Sequence, residues 1–167
     1  MSAPPAPGFS DGVASFQLGA GGLVRGRVAR LGAESLDPIL RRHDYPRPVA
    51  LMLGEALALA ALMGSLLKVE GKLALQIQGD SAVSLLVAEA THDGGLRGYA
   101  RVDRERCAHL TITHQAAPAA LVGAGTFALT IDQGPDMAPV QGIVPLDGPS
   151  LAACAETYFQ LSEQAPP

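Results

Sequence analysis

The chain has 167 residues and a net charge of −4, with 48% apolar, 17% charged and 4% aromatic residues and no Trp. A chain of this length buries roughly 70% of its unfolded surface, so one domain with a sizeable core is the natural reading. Scarce aromatics and the acidic balance argue against a general nucleic-acid binder, which needs stacking platforms and basic surface. Residues 1–9 are rich in Pro and Ala, with neither the basic nor the apolar region of a signal peptide. They predict a disordered tail ahead of a core domain over 10–167.

Val13–Leu18 and Leu23–Leu31 read as strands around a Gly-rich turn, with Arg25, Arg27 and Arg30 on a solvated face. Glu34 to His43 predicts a short helix capped by Ser35. Pro48 fits the first position of a long helix running to about Leu67, whose only charge is Glu55. Its length and apolarity admit a membrane span. Its Ala-rich composition, broken by Gly54, Glu55, Gly64 and Ser65, favours a buried core helix instead. Ala56, Ala60 and Gly64 at i, i+4 spacing allow close approach of a sheet or of a second subunit.

Gly71–Val102 reads as an antiparallel meander. Leu73, Leu75 and Ile77 alternate inward on its first strand, and Val83, Leu85 and Val87 on its second. Asp93-Gly94 predicts a type I′ turn, and Arg97, Tyr99 and Arg101 share one face of the third strand. His109–His114 reads as a short edge strand, and Pro118–Val122 as one helical turn ended by Gly123. Thr126–Asp132 and Val140–Leu146 form a second hairpin, and Pro149–Glu163 a final helix stopped by Pro166-Pro167. The fold class is α+β: a mostly antiparallel sheet, meander plus second hairpin, packed against apolar helices.

No catalytic, cofactor-binding or metal-ligating set emerges. His43-Asp44 and His92-Asp93 are adjacent pairs in expected turns, and neighbours in sequence seldom point at one target. Cys107, His109 and His114 lack a fourth ligand and a recognised spacing. Arg104 and Arg106 would lower the thiol pKa of Cys107, but with no partner base it reads as a structural or incidental thiol, and Cys154 sits at apolar helix spacing. Two cysteines without a CxxC pair suit a reducing cytoplasm. The residues alone lead to a soluble domain acting by surface contact.

Several stretches carry the reading further: VRGRVARL (Val24–Leu31), the segment His43–Lys68, the meander Gly71–Arg101 with its LRGYAR strand, LTID followed by QGIVPL, and Ser150–Pro167. Together they resemble the heat shock protein 33 family of redox-regulated holdase chaperones. The resemblance implies an ATP-independent chaperone and a homodimer. Its partners would be unfolded client proteins, with no nucleic acid or membrane. It also implies a C-terminal zinc module with four cysteines in a Cys-x-Cys and a Cys-x-x-Cys pair. Neither pair occurs here, so the chain reads as the amino-terminal core, with no cofactor of its own and a cytoplasmic location. Leu86 and Tyr99, on the strand faces opposite the alternating core set, are the candidate client-binding residues.

Overall fold

The structure, a computed structural model, describes residues 11–19, 21–22, 24–67, 70–146 and 150–162. The tail expected over 1–9 and the prolines expected at either end of the last helix lie outside these. β1 (Gly12–Leu18) and β2 (Val24–Arg30) pair antiparallel as a separate ribbon. α1 (Ala33–Leu40), a 3-10 turn at Arg41–His43 and α2 (Arg47–Gly64) follow. β3 (Lys72–Gly79), β4 (Val83–Thr91) and β5 (Leu96–Val102) form the expected meander. After α3 (Arg104–Ile112) and α4 (Pro118–Val122) come β6 (Gly125–Asp132), β7 (Val140–Pro145) and α5 (Leu151–Ser162). The second hairpin does not stand apart. β6 pairs with β3, giving one five-stranded antiparallel sheet in the order β5-β4-β3-β6-β7.

One face of this sheet makes the core. Leu73, Leu75 and Ile77 of β3 are buried beside Leu86, Ala88 and Ala90 of β4 and Phe127 and Leu129 of β6. α2 lies across β3, β4 and β5 on this side, with Val49, Met52, Leu53, Ala56, Leu57 and Ala60 buried. α2 passes the length and apolarity test for a membrane span, but its inward stripe is spent on the sheet. Gly64 is required where it stands. A Cβ there would come within 2.7 Å of the Ala90 Cβ, so the close neighbour of the small-residue stripe is β4. α5 closes the far end of the same face, with Tyr158 packed over Gly142 of β7.

Four local readings change. First, the register of β4 slips between Val83 and Leu85. Such a bulge puts two residues opposite one and reverses which face the following side chains take. Val83 stays in the core as expected, but Leu86 replaces Leu85 and Val87 there, at 0% exposure. Leu86 is therefore not on the solvent side. Second, His109–His114 is not an edge strand, because α3 runs to Ile112. The Asp103 carboxylate accepts the Arg106 N–H at 3.0 Å and starts the helix. Thr111 and Thr113 donate their hydroxyls to the carbonyls of Cys107 and His109, which accommodates β-branched polar residues within and just after a helix.

Third, α1 begins at Ala33, and its cap is not Ser35. Asp11 serves from the start of the ribbon: its carboxylate accepts from the Gly32 N–H at 2.6 Å, the Ser35 N–H at 3.2 Å and the Ser35 hydroxyl at 2.7 Å. Fourth, the β4–β5 turn has positive φ only at Gly94, +90°. The Gly94 N–H donates to Thr91 O and the Thr91 N–H to Gly95 O, so the loop is longer than the two residues of a type I′ hairpin.

Candidate functional site

The other face of the sheet lines up three rows of side chains across five strands. The middle row is Tyr99, Val87, Gln76, Ala128 and Ile143. On one side of it run Arg101, Leu85, Gln78, Thr126 and Pro145, and on the other Arg97, Glu89, Ala74, Thr130 and Gln141. Every one of these residues is half-buried or exposed, whereas their strand neighbours on the core face are largely buried. The centre of this open face is short and uncharged. Its apolar contribution comes from Leu85, Val87, Tyr99 and Ile143, with Tyr99 38% and Ile143 60% exposed. Arg97 and Arg101 flank Tyr99 on β5, and neither forms an ion pair among the described residues.

Of the two residues that sequence reasoning placed here, Tyr99 belongs and Leu86 does not. Leu85 and Val87, read as core, take its place, and Val87 is the direct cross-strand partner of Tyr99. The ring of His43 meets Tyr99 edge-on at 5.3 Å and leans on Tyr45 at 5.6 Å, so this histidine packs at the rim of the face. The Tyr45 hydroxyl accepts the Ala100 N–H at 3.0 Å, closing part of the outer edge of β5.

The other candidates do not converge. Asp44 binds Arg104 through its carbonyl at 2.6 Å and its carboxylate at 3.6 Å. Asp93 accepts the Thr91 hydroxyl within its own turn, which holds its carboxyl below the usual range. Cys107 is buried while His109 and His114 are exposed, and no group of three or more His, Cys, Asp or Glu could hold a metal among the described residues. Burial pushes the Cys107 thiol up, against the opposing pull of the Thr111 hydrogen bond and the Arg104 charge. The arginine neighbours therefore do not, on balance, lower its pKa. Cys107 and Cys154 are both buried.

A family model described as Hsp33 protein matches residues 11–167. The chain belongs to the heat shock protein 33 family. A 33 kDa chaperonin of Caulobacter vibrioides is 51% identical over 165 residues, 98% of this chain and 54% of that protein. One of Ectopseudomonas mendocina is 43% identical over 143 residues, 86% of this chain and 46% of its own length. The crystal structure of the heat shock protein 33 homologue of Thermotoga maritima superposes with a TM-score of 0.75 at 25% identity, covering 92% of this chain and 52% of the other. The chain thus spans about half the length of the curated relatives it matches. The fold of the heat shock protein 33 relatives agrees with the α+β, antiparallel reading of the sequence.

Proposed function

We propose that this chain is the client-holding core of an ATP-independent chaperone, and that the open face of its sheet is where unfolding polypeptides are held. The observation that carries the reading is the pairing of family membership with that face: Tyr99, Val87, Leu85 and Ile143 lie accessible on a rigid sheet whose other side is the core. Holding an unfolded chain needs accessible apolar area more than exact polar placement, and a contiguous apolar patch marks such an interaction surface. The protein would work in the cytoplasm, as a homodimer, against aggregation under heat and oxidative stress. Neither Cys107 nor Cys154 falls in a Cys-x-Cys or Cys-x-x-Cys pair, so the residues of this chain offer no thiol switch of that kind themselves.

The test is light scattering of a heat-unfolding client, without ATP, with and without peroxide. Equal suppression in both conditions is expected, with several-fold weaker suppression by a Val87→Ser, Tyr99→Ser double variant that keeps the native circular dichroism spectrum. No suppression by the unaltered chain would make this domain a scaffold for a client site located elsewhere. Undiminished suppression by the double variant would remove the open face from consideration.

A further inference from the structure

α1 and the outer edge of β5 enclose a cavity of about 790 Å³ whose mouth reaches the rim of the open face. Ser35, Pro38, Ile39 and Arg42 come to it at i, i+3, i+4 and i+7, one stripe of the helix and of the turn that continues it. The Tyr45 hydroxyl takes the Ala100 N–H from outside the sheet, so Ala100 is a non-bonded position of the β4–β5 ladder. Bonded and non-bonded pairs alternate in an antiparallel ladder, so Gly98 also turns its N–H outward, into this cavity. No acceptor among the described residues takes it. Glycine fits here because a Cβ would crowd Ile39 at 3.1 Å and Leu53 and Leu57 at 3.2 Å. Arg42 and Arg97 reach the same cavity from different elements, and neither forms an ion pair among the described residues. Glu89, the half-buried cross-strand partner of Arg97, is not joined to it. The neighbouring acids are engaged elsewhere, Asp37 with Arg41 at 2.7 Å and Asp44 with Arg104.

We propose that this cavity is an anion site, and that its ligand is a phosphate monoester carried on a flat ring, the chemistry of a nucleoside monophosphate. Two guanidinium forks and a backbone N–H offer more donors than the two oxygens of a carboxylate use, and they suit the three oxygens of a phosphate. The volume far exceeds a phosphate's own bulk and falls in the range of sites for small organic ligands. The rest of the wall is flat and largely apolar. The exposed ring of Tyr99 meets the His43 ring edge-on at 5.3 Å, with Val87, Pro38 and Leu96 beside them. Glu89 repels the phosphate but accepts hydrogen bonds from sugar hydroxyls or ring N–H groups, so it fixes which end of the ligand lies toward β4. In a chain of net charge −4, this gathering of unpaired cations is local rather than general. The site does not depend on the client-holding reading and stands or falls separately.

The experiment is a titration of the unaltered chain with adenosine monophosphate, inorganic phosphate or adenosine, followed by amide NMR and by calorimetry. The Gly98 amide signal shifts saturably with the monophosphate. Inorganic phosphate moves the same signal but binds at least tenfold more weakly, and adenosine more weakly still. Arg42→Gln and Arg97→Gln each weaken the monophosphate at least tenfold, with the remaining amide signals in place. Arg25→Gln, an equal loss of charge on the ribbon, changes the affinity less than twofold. Tyr99→Leu weakens the monophosphate and leaves inorganic phosphate as it was, which separates the contact of the ring from that of the anion. No saturable shift at Gly98 with either phosphate at millimolar concentration overturns the site. Equal losses for Arg25→Gln and Arg42→Gln reduce the binding to general charge attraction and overturn it too. Inorganic phosphate bound as tightly as the monophosphate keeps the anion site and overturns the ring-bearing ligand.

Discussion

Leu85 and Leu86 are neighbours on one strand, and the β4 bulge predicts opposite consequences for truncating them. Leu86 is 0% exposed and sits between Ile77 of β3 and Ala100 of β5. Leu86→Ala removes three carbon atoms from a filled site, about 0.8 kcal/mol each in transfer free energy. The cavity left behind adds to this, for a loss of about 3 kcal/mol, inside the range for buried Leu→Ala changes. Leu85 is half-buried on the open face, and Leu85→Ala should cost about 1 kcal/mol or less. Equilibrium urea unfolding, followed by far-UV circular dichroism, separates the two. With a slope of about 2 kcal/mol per molar, the midpoint falls by about 1.5 M for Leu86→Ala and by less than about 0.5 M for Leu85→Ala. Holding capacity, measured per folded molecule, moves in the opposite sense: it is unchanged in Leu86→Ala and reduced in Leu85→Ala. Equal losses of stability, or a larger loss at Leu85, would refute the register on which the open face is built.

Tyr45→Phe leaves the Ala100 N–H at the β5 edge without its hydroxyl partner and should cost about 1 kcal/mol in the same urea assay, with faster exchange at that amide. Asp11 has its carboxyl held below the usual range, first by the Ser35 hydroxyl and also by the backbone N–H groups of Gly32 and Ser35. A depressed folded-state pKa means stabilisation that is present above the unfolded value near 3.9 and lost as pH falls through the folded one. Exchange at the Gly32 and Ser35 amides should therefore accelerate below pH about 4, and Asp11→Asn should remove that step. The Cys107 thiol, buried and shifted up, should react with a thiol reagent at pH 8 far more slowly in the native chain than in urea. Fast native labelling would mean that α3 opens locally.

Much of the architecture was legible because period-2 alternation and turn residues act locally. Leu73, Leu75 and Ile77 read correctly as core, and Gly123 ended α4 where its φ of +74° requires a glycine. The failures share a cause: a local signal was overruled by something distant or irregular. Asp11 caps α1 from across the ribbon, which no residue near Ser35 could announce. Thr-Ile-Thr looks like strand sequence, but Asp103 starts a helix that its hydroxyl back-bonds can tolerate. The client candidates erred at Leu86 because one bulge inverts every later side chain on β4, and a bulge leaves no fixed sequence mark. Tyr99 was placed correctly because β5 pairs in unbroken register from Leu85 onward.

The strand order has a consequence for how the chain acquires its fold. β3 is the middle strand, yet its second partner, β6, arrives only after β4, β5, α3 and α4 have been made. The meander closes through short loops and can form early, whereas the β3–β6 ladder must wait for a long loop to close. On a ribosome, β3 therefore spends the interval as an unprotected edge beside an apolar surface that α2 only partly covers. The chain passes through the same kind of aggregation-prone intermediate that its proposed clients present, and slowing synthesis between Val102 and Gly125 should lower its soluble yield.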